Sequence, residues 1–273
     1  MVDAGSRVQA VVLGCLVVGS VLLSGCIGSQ TTQHFQKSVP AVAGTLVTVK
    51  NMNGRVVITG WNQSIVNVSA EKVSFGGQSE LDKAVITVSE GSNTVAIETK
   101  YTGSSLNPPS VSYVIQVPVN AVVGSVESTN GQVQVHDVSG NVSISTTNGE
   151  VIVENVSGYV SVGTSNGHVS VLGTMGIRDL GTSNGAVEAE VRDFPGNTSI
   201  TSSNGRVMLL INTGLNATFE FTTSNANIQT NDLPLSLIAS GSTHLVGTLG
   251  GGGKRLTVTT SNGAILLYKL SIT

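Results

Sequence analysis

Charge is scarce in this sequence. Only 11% of its 273 residues are Asp, Glu, Lys or Arg, where globular domains carry about 25%. The 13 basic residues are outnumbered by 16 acidic ones, so no cationic field is present to hold nucleic acid. Aromatics are as thin, at 4%, which removes the stacking platform that single strands require. Two cysteines and four scattered histidines supply neither a disulfide framework nor a zinc site. No helical periodicity of ordinary length follows the first 25 residues. What remains is Gly, Ser, Thr, Asn and Val, with 33 glycines and a mean hydropathy of +0.25. That mixture is too apolar for a disordered chain and points to all-β structure built from repeats.

Residues 1–25 read as an export signal. Arg7 is followed by an apolar run from Val8 to Leu23, shorter than the roughly 20 residues of a membrane span. Leu23-Ser24-Gly25-Cys26 has the form of a lipobox, at which lipoproteins are acylated on cysteine and cleaved before it. Cys15 leaves with the signal, so Cys26 is the single mature cysteine and no internal disulfide can form. A thioether-linked diacylglycerol with a further acyl chain such as palmitate would hold Cys26 in the membrane, at the cell membrane or outer cell surface. Residues 26–40, polar and rich in Gln, Ser and Thr, read as a flexible tether.

The rest of the chain, 41–270, reads as a single solenoid. Its part 41–125 is irregular, and 126–270 carries regular repeats and a carboxy-terminal cap. The repeat is a tetrapeptide: Ser128-Thr129-Asn130-Gly131 recurs after 18 residues at Asn148, Asn166 and Asn184. Further copies stand at Asn204, Asn225 and Asn262. A glycine also falls every nine residues from Gly131 to Gly185. After each Asn-Gly the apolar residues alternate, as in Val133 and Val135, Val151 and Val153, or Val169 and Val171. Two short strands and two glycine turns per 18 residues make one coil of a parallel β-solenoid. The expectation is an asparagine ladder through Asn130, Asn148, Asn166, Asn184, Asn204, Asn225 and Asn262, spaced about 4.8 Å along the axis. Glycine after each Asn is expected to supply positive φ at the corner. The stretch from Gly250 to Leu270 is expected to close the stack.

A family resemblance attaches to particular residues. They are Asn53-Gly54-Arg55-Val56 through Ile58-Thr59-Gly60-Trp61, Tyr113-Val114-Ile115-Gln116-Val117-Pro118, and the Thr-Ser-Asn-Gly series with the late glycine-rich stretch. Together they resemble the DUF4097 adhesin-like domain, related to the head domains of autotransporter adhesins. The resemblance implies a β-helix-like fold at the cell envelope, with some relatives tied to envelope-stress signalling. It supplies no catalytic residues.

β-Helices also host polysaccharide-active enzymes, which need paired carboxylates. No pair falls in the column of Gln132, Glu150 and His168. The weak catalytic candidates are His136 and Glu154, one coil apart, with no nucleophile or oxyanion donor column beside them. Asp residues share no column, so regular calcium binding is not expected, and neither is any other metal or cofactor. The reading is a membrane-anchored, non-catalytic interaction module. Its partners are membrane lipid through Cys26 and a surface glycan or envelope protein. An envelope-stress component binding a membrane protein and a β-helix enzyme are the alternatives.

Overall fold

The computed structural model describes residues 30–271; the signal over 1–25 and Cys26 lie outside them. The chain folds into two facing sheets of 11 and 12 strands. Strands that follow Asn-Gly build one, here sheet I, and strands that precede it build sheet II. Through the centre each coil stacks on the last with matched register. Val151 sits beside Val133 and Val169, and Val160 beside Val142. An 18-residue repeat thus converts into straight columns of like side chains.

The core lies between the sheets. Val133, Val151, Val169, Val187 and Val207 form one column and Val135, Val153, Val171, Ala189 and Leu209 the next, all fully buried. Sheet II answers with Ile144, Val162, Leu180 and Ile200. Valine suits a thin coil because its branched side chain packs on a pleated surface at little entropic cost. The aromatics gather towards the ends. Phe194 meets Phe219 edge-on at 6.3 Å and Phe219 stacks on Phe221 at 6.0 Å. At the other end Tyr113 is buried, and its hydroxyl shares a 2.6 Å hydrogen bond with Thr99. Burial pushes that phenol up to about 12.

Stacking order departs from chain order at both ends. From one end the coils run 94–118, 46–61, 122–136, 142–154, 159–172, 176–191, 198–211, 254–269 and 217–231. The first coil made, 46–61, lies between two later ones. The last, 254–269, is inserted between two earlier ones, with Ile200 beside Val258 and Val258 beside Phe221. Leu256–Leu270 was expected to close the stack and instead fills its interior. The physical reason lies in the hairpin Ser236–Ser240 and His244–Leu249, which extends sheet II beyond Ala217–Thr223 and returns the chain to the open level.

The tether expected over 26–40 is also corrected. Thr31–Pro40 is a strand, antiparallel to Ile65–Ser74 with Phe35 opposite Ala70. Phe35 and Val39 face one side at period two and pack on the core, and the strand covers an edge that would otherwise be open. The described residues contain one short helix, Gln78–Leu81, which buries Leu81. No helix among them is long and apolar enough to cross a membrane.

Candidate interaction surfaces

The corner edge carries the asparagines, and their side chains form a continuous chain of hydrogen bonds. Asn148 Nδ2 donates to Asn130 Oδ1, and Asn166 Nδ2 to Asn148 Oδ1, both at 2.8 Å. Asn184 and Asn204 continue the series at 2.7 Å each. Asn262 then donates to Asn204, and Asn225 to Asn262, again at 2.7 Å. The inserted coil therefore stands between Asn204 and Asn225 in this column. An eighth member joins at the other end, where Asn130 Nδ2 donates to Asn53 Oδ1 at 2.7 Å. Asn53-Gly54 was legible as a corner of the same style. Its 77-residue distance from Asn130 hid its place in the column.

The glycines after these asparagines act for two different reasons. Positive φ occurs at Gly54 (116°) and Gly131 (143°), as expected at a corner. Gly149, Gly167, Gly185, Gly205 and Gly263 have no such angle, so that expectation fails for them. There the reason is contact: a β-carbon would lie 1.7–2.0 Å from the carbonyl oxygen of the glycine one coil away. Buried hydroxyls brace the same carbonyls. Thr182 Oγ1 donates to Gly167 O at 3.1 Å and Ser202 Oγ to Gly185 O at 3.0 Å.

Asn166→Leu removes two ladder bonds, one donated and one accepted. A net loss of about 1–2 kcal/mol follows for partly solvated bonds. His168→Ala, on the outer side of the same coil and free of a ladder bond, is expected to change stability by less than about 0.5 kcal/mol. Urea unfolding of the two variants checks the register. Equal losses would contradict it.

His136 and Glu154 do meet, with Nδ1 and Oε2 3.2 Å apart. Beyond Glu154 the column continues with Leu172, and before His136 with Thr59. Beside them Asn155 Nδ2 donates to Asp137 Oδ1 at 3.1 Å, both residues lying in left-handed turns that Asn and Asp tolerate. The arrangement is a two-residue surface pair and contributes little. Among the described residues no cluster of His, Cys, Asp or Glu is placed to hold a metal ion. Two shallow depressions measure about 240 and 250 Å³, below the roughly 300–1,000 Å³ of small-molecule sites.

A second polar cluster holds the inserted coil. Lys254 Nζ contacts Asp193 Oδ1, donates to Phe194 O at 2.7 Å, and stands 4.5 Å from the Phe194 ring centre. Tyr159 donates its hydroxyl proton to Asp193 Oδ2 at 2.8 Å. Burial tends to raise the Asp193 pKa, but the bonds from Lys254 and Tyr159 outweigh it and hold the carboxyl below its ordinary range. The cluster ties residue 254 to two earlier turns.

The outer faces of the two sheets differ. Sheet II presents a polar row, Ser143, Ser161, Asp179, Ser199, Thr257 and Glu220. Sheet I presents an apolar square towards its carboxy-terminal end. Met208 stands beside Leu266 and Leu210 beside Tyr268 on adjacent strands, and all four are half-buried. Glu188 and Glu190 border the square on one side, Gln229 and Asn231 on the other. The strands Val207–Ile211 and Ile265–Lys269 are thus apolar on both faces, the pattern of strands covered on both sides. Alternation along the sequence picks out only their inward residues, such as Val207 and Leu209. The continuous runs VMLLI and ILLY were the available signal.

Solved structures of other proteins resemble the chain, three of them as follows. A candidate cell-adhesion protein from Clostridium sporogenes is 12% identical with a TM-score of 0.36, over 88% of this chain and 100% of that one. A candidate adhesin from Bacteroides fragilis is 11% identical with a TM-score of 0.42, over 87% and 97%. A candidate lipid-binding protein from Parabacteroides distasonis is 11% identical with a TM-score of 0.27, over 86% and 97%. No curated protein matches. The family described as Toastrack DUF4097 matches residues 46–267, and the chain belongs to that family.

Proposed function

We propose that the chain is a lipid-anchored, surface-exposed interaction module of the cell envelope, without catalytic activity. The observation that carries the reading is the apolar square of Met208, Leu210, Leu266 and Tyr268 with its polar border. A flat apolar centre with a polar rim is the anatomy of a protein–protein contact, which favours an envelope protein over a glycan as partner. Cys26 precedes the strand Thr31–Pro40 by five positions, a reach of no more than about 17 Å. The amino-terminal end of the solenoid therefore stays near the lipid. The square lies eight to nine strands further along sheet I, about 40 Å away.

A photo-cross-linking residue at Leu266 is expected to capture an envelope protein on intact cells. Capture should exceed that from Ser161, on the opposite face, by at least about fivefold, and Met208→Glu should remove the excess. Equal capture from both faces would overturn the reading. So would turnover of cell-wall glycans that His136→Ala or Glu154→Ala abolishes. Cys26→Ser is expected to release the chain from the membrane pellet, and unchanged pelleting removes the anchor.

A further inference from the structure

The solenoid ends in four sheet edges, and three of them are blunted. Thr31–Pro40, the amino-terminal edge of sheet I, carries His34, Lys37 and Pro40. Ala84–Glu90, the matching edge of sheet II, exposes Val85 but is flanked by Lys83 and ends in Glu90, which pairs with Lys37 at 2.9 Å. Ile228–Asn231, the carboxy-terminal edge of sheet I, is four residues long and polar, and Asp232 in a left-handed turn follows it. Charge, proline and short length are the usual protections against edge-to-edge pairing.

The fourth edge carries neither charge nor proline within it, and its protections are its length of five residues and one bulge. Ser236–Ser240 is uncharged, pairs on one side with His244–Leu249, and among the described residues has no strand on the other. Leu237 is 54% and Ile238 69% exposed. A register shift between Leu237 and Ala239 makes a bulge, which sets two consecutive side chains opposite one residue of the neighbour and re-aims them.

We propose that Ser236–Ser240 is a homophilic docking edge that pairs antiparallel with the same strand of a second copy, joining two sheets II tail to tail. Two observations favour a second copy. A two-fold axis at Ile238 sets Ile238 on Ile238, Leu237 on Ala239 and Ser236 on Ser240. The strand brings no charge to oppose itself. The charged edges at the amino-terminal end make a head-to-tail filament the poorer match, and an isologous pair closes on itself.

The geometry gives this pairing a use that rests on the anchored reading above. Thr31 and Ser236 belong to strands at opposite ends of the stack. A tail-to-tail pair therefore directs its two amino termini away from each other, and two anchored copies would bridge facing membranes. A pair of five-residue strands buries less than the roughly 1,200 Å² of a stable interface. A single contact is weak, and arrays of anchored copies gain strength from multivalency, on the order of 10²–10⁴-fold.

The test supplies its own anchor. The full chain with an amino-terminal hexahistidine tag is loaded on phosphatidylcholine vesicles containing nickel-chelating lipid, and clustering is followed by light scattering. Wild-type vesicles are expected to cluster. Vesicles carrying Ile238→Lys alone, or Ile238→Glu alone, should cluster at least about tenfold more slowly, because like charges then face each other across the axis. Mixing the two populations should restore clustering, a rescue that only copy-to-copy pairing at this position produces. Dispersed wild-type vesicles, or no rescue in the mixture while both variants unfold at the wild-type temperature, would overturn the proposal. The tag replaces Cys26 as anchor, so a failed lipoprotein reading leaves this result intact, and failed clustering leaves membrane pelleting intact.

Discussion

Gly185→Ala is expected to lower stability by at least about 3 kcal/mol, at the upper end of overpacking costs. The new β-carbon would lie 1.7 Å from the Gly167 carbonyl oxygen and 2.4 Å from its carbon, where ordinary contact needs more than 3 Å. Both atoms are backbone of the stacked coil, so no side chain can rotate away. Relief requires the two coils to separate. Separation strains the Asn184–Asn166 bond at 2.7 Å and the Thr182–Gly167 bond at 3.1 Å. Close-packed interiors do not absorb such a displacement locally. Gly163→Ala is the matched control: nothing lies within 4 Å of its added carbon, and stability should change by less than about 0.5 kcal/mol. Thermal unfolding should separate the variants by roughly 6–12 °C, given 2–4 °C per kcal/mol at this size. The chain itself contains one natural substitution in this column. Ala226 follows Asn225 in the coil 217–231, whose corner is flanked on its outer side by the Ser242–Thr243 turn, with the Thr223 and Ile228 N–H groups donating to Thr243 O and Ser242 O, both at 2.9 Å.

Truncation after Gly250 should cost the protein its cooperative fold. In a solenoid stacked in chain order, losing the last coil removes an end and exposes one fresh edge. Here the last coil is the eighth of nine levels. Its removal leaves Thr198–Ser202 and Ala217–Thr223 without the strand that both pair with. It also deletes Leu256, Val258, Ile265 and Leu267, each fully buried. At about 1.5–3 kcal/mol each, these four side chains approach the entire 5–15 kcal/mol that separates folded from unfolded domains. The expected result is loss of the single sharp transition in urea, with the region beyond residue 198 digested by protease. A truncated chain that unfolds sharply within a few degrees of the intact one would show that the coil 217–231 can drop one level and close the gap.

The central coils were legible because an 18-residue period and a parallel register state the same fact. A residue repeated at one spacing must stack on itself, so Val133, Val151 and Val169 could be placed in one column before any coordinates. The ends were not legible in the same way. Asn225 and Asn262 show that two further corners exist, but spacing along the chain carries no information about which lies next to Asn204. That order depends on the Ser236–Leu249 hairpin, whose strands look in sequence like any others. Asn-Gly misled on mechanism while pointing to the right place. Left-handed backbone and a close approach both demand glycine, and the letter does not distinguish them. Thr31–Pro40 was hidden by its polar composition, since Phe35 and Val39 alone hold it to the core. The His136–Glu154 contact was predictable from the register, and so was its isolation, because Leu172 occupies the next place. The apolar square is present in the letters as the runs VMLLI and ILLY, but it exists only because the inserted coil sets these two strands side by side, which spacing along the chain does not reveal.

The inserted coils also set a timetable. The chain is made from its amino end, and coil 46–61 finds its outer neighbours only when residues 94–118 and 122–136 have followed. Asn53 and Asn130, 77 residues apart, must meet before that side of the stack can form. At the other end the slot between 198–211 and 217–231 stays vacant until residues 254–269 arrive to occupy it. Contacts of such sequence separation form slowly, and exposed strands persist in the meantime. A chain that crosses a membrane during or after synthesis would therefore complete this stack only once coil 254–269 is across.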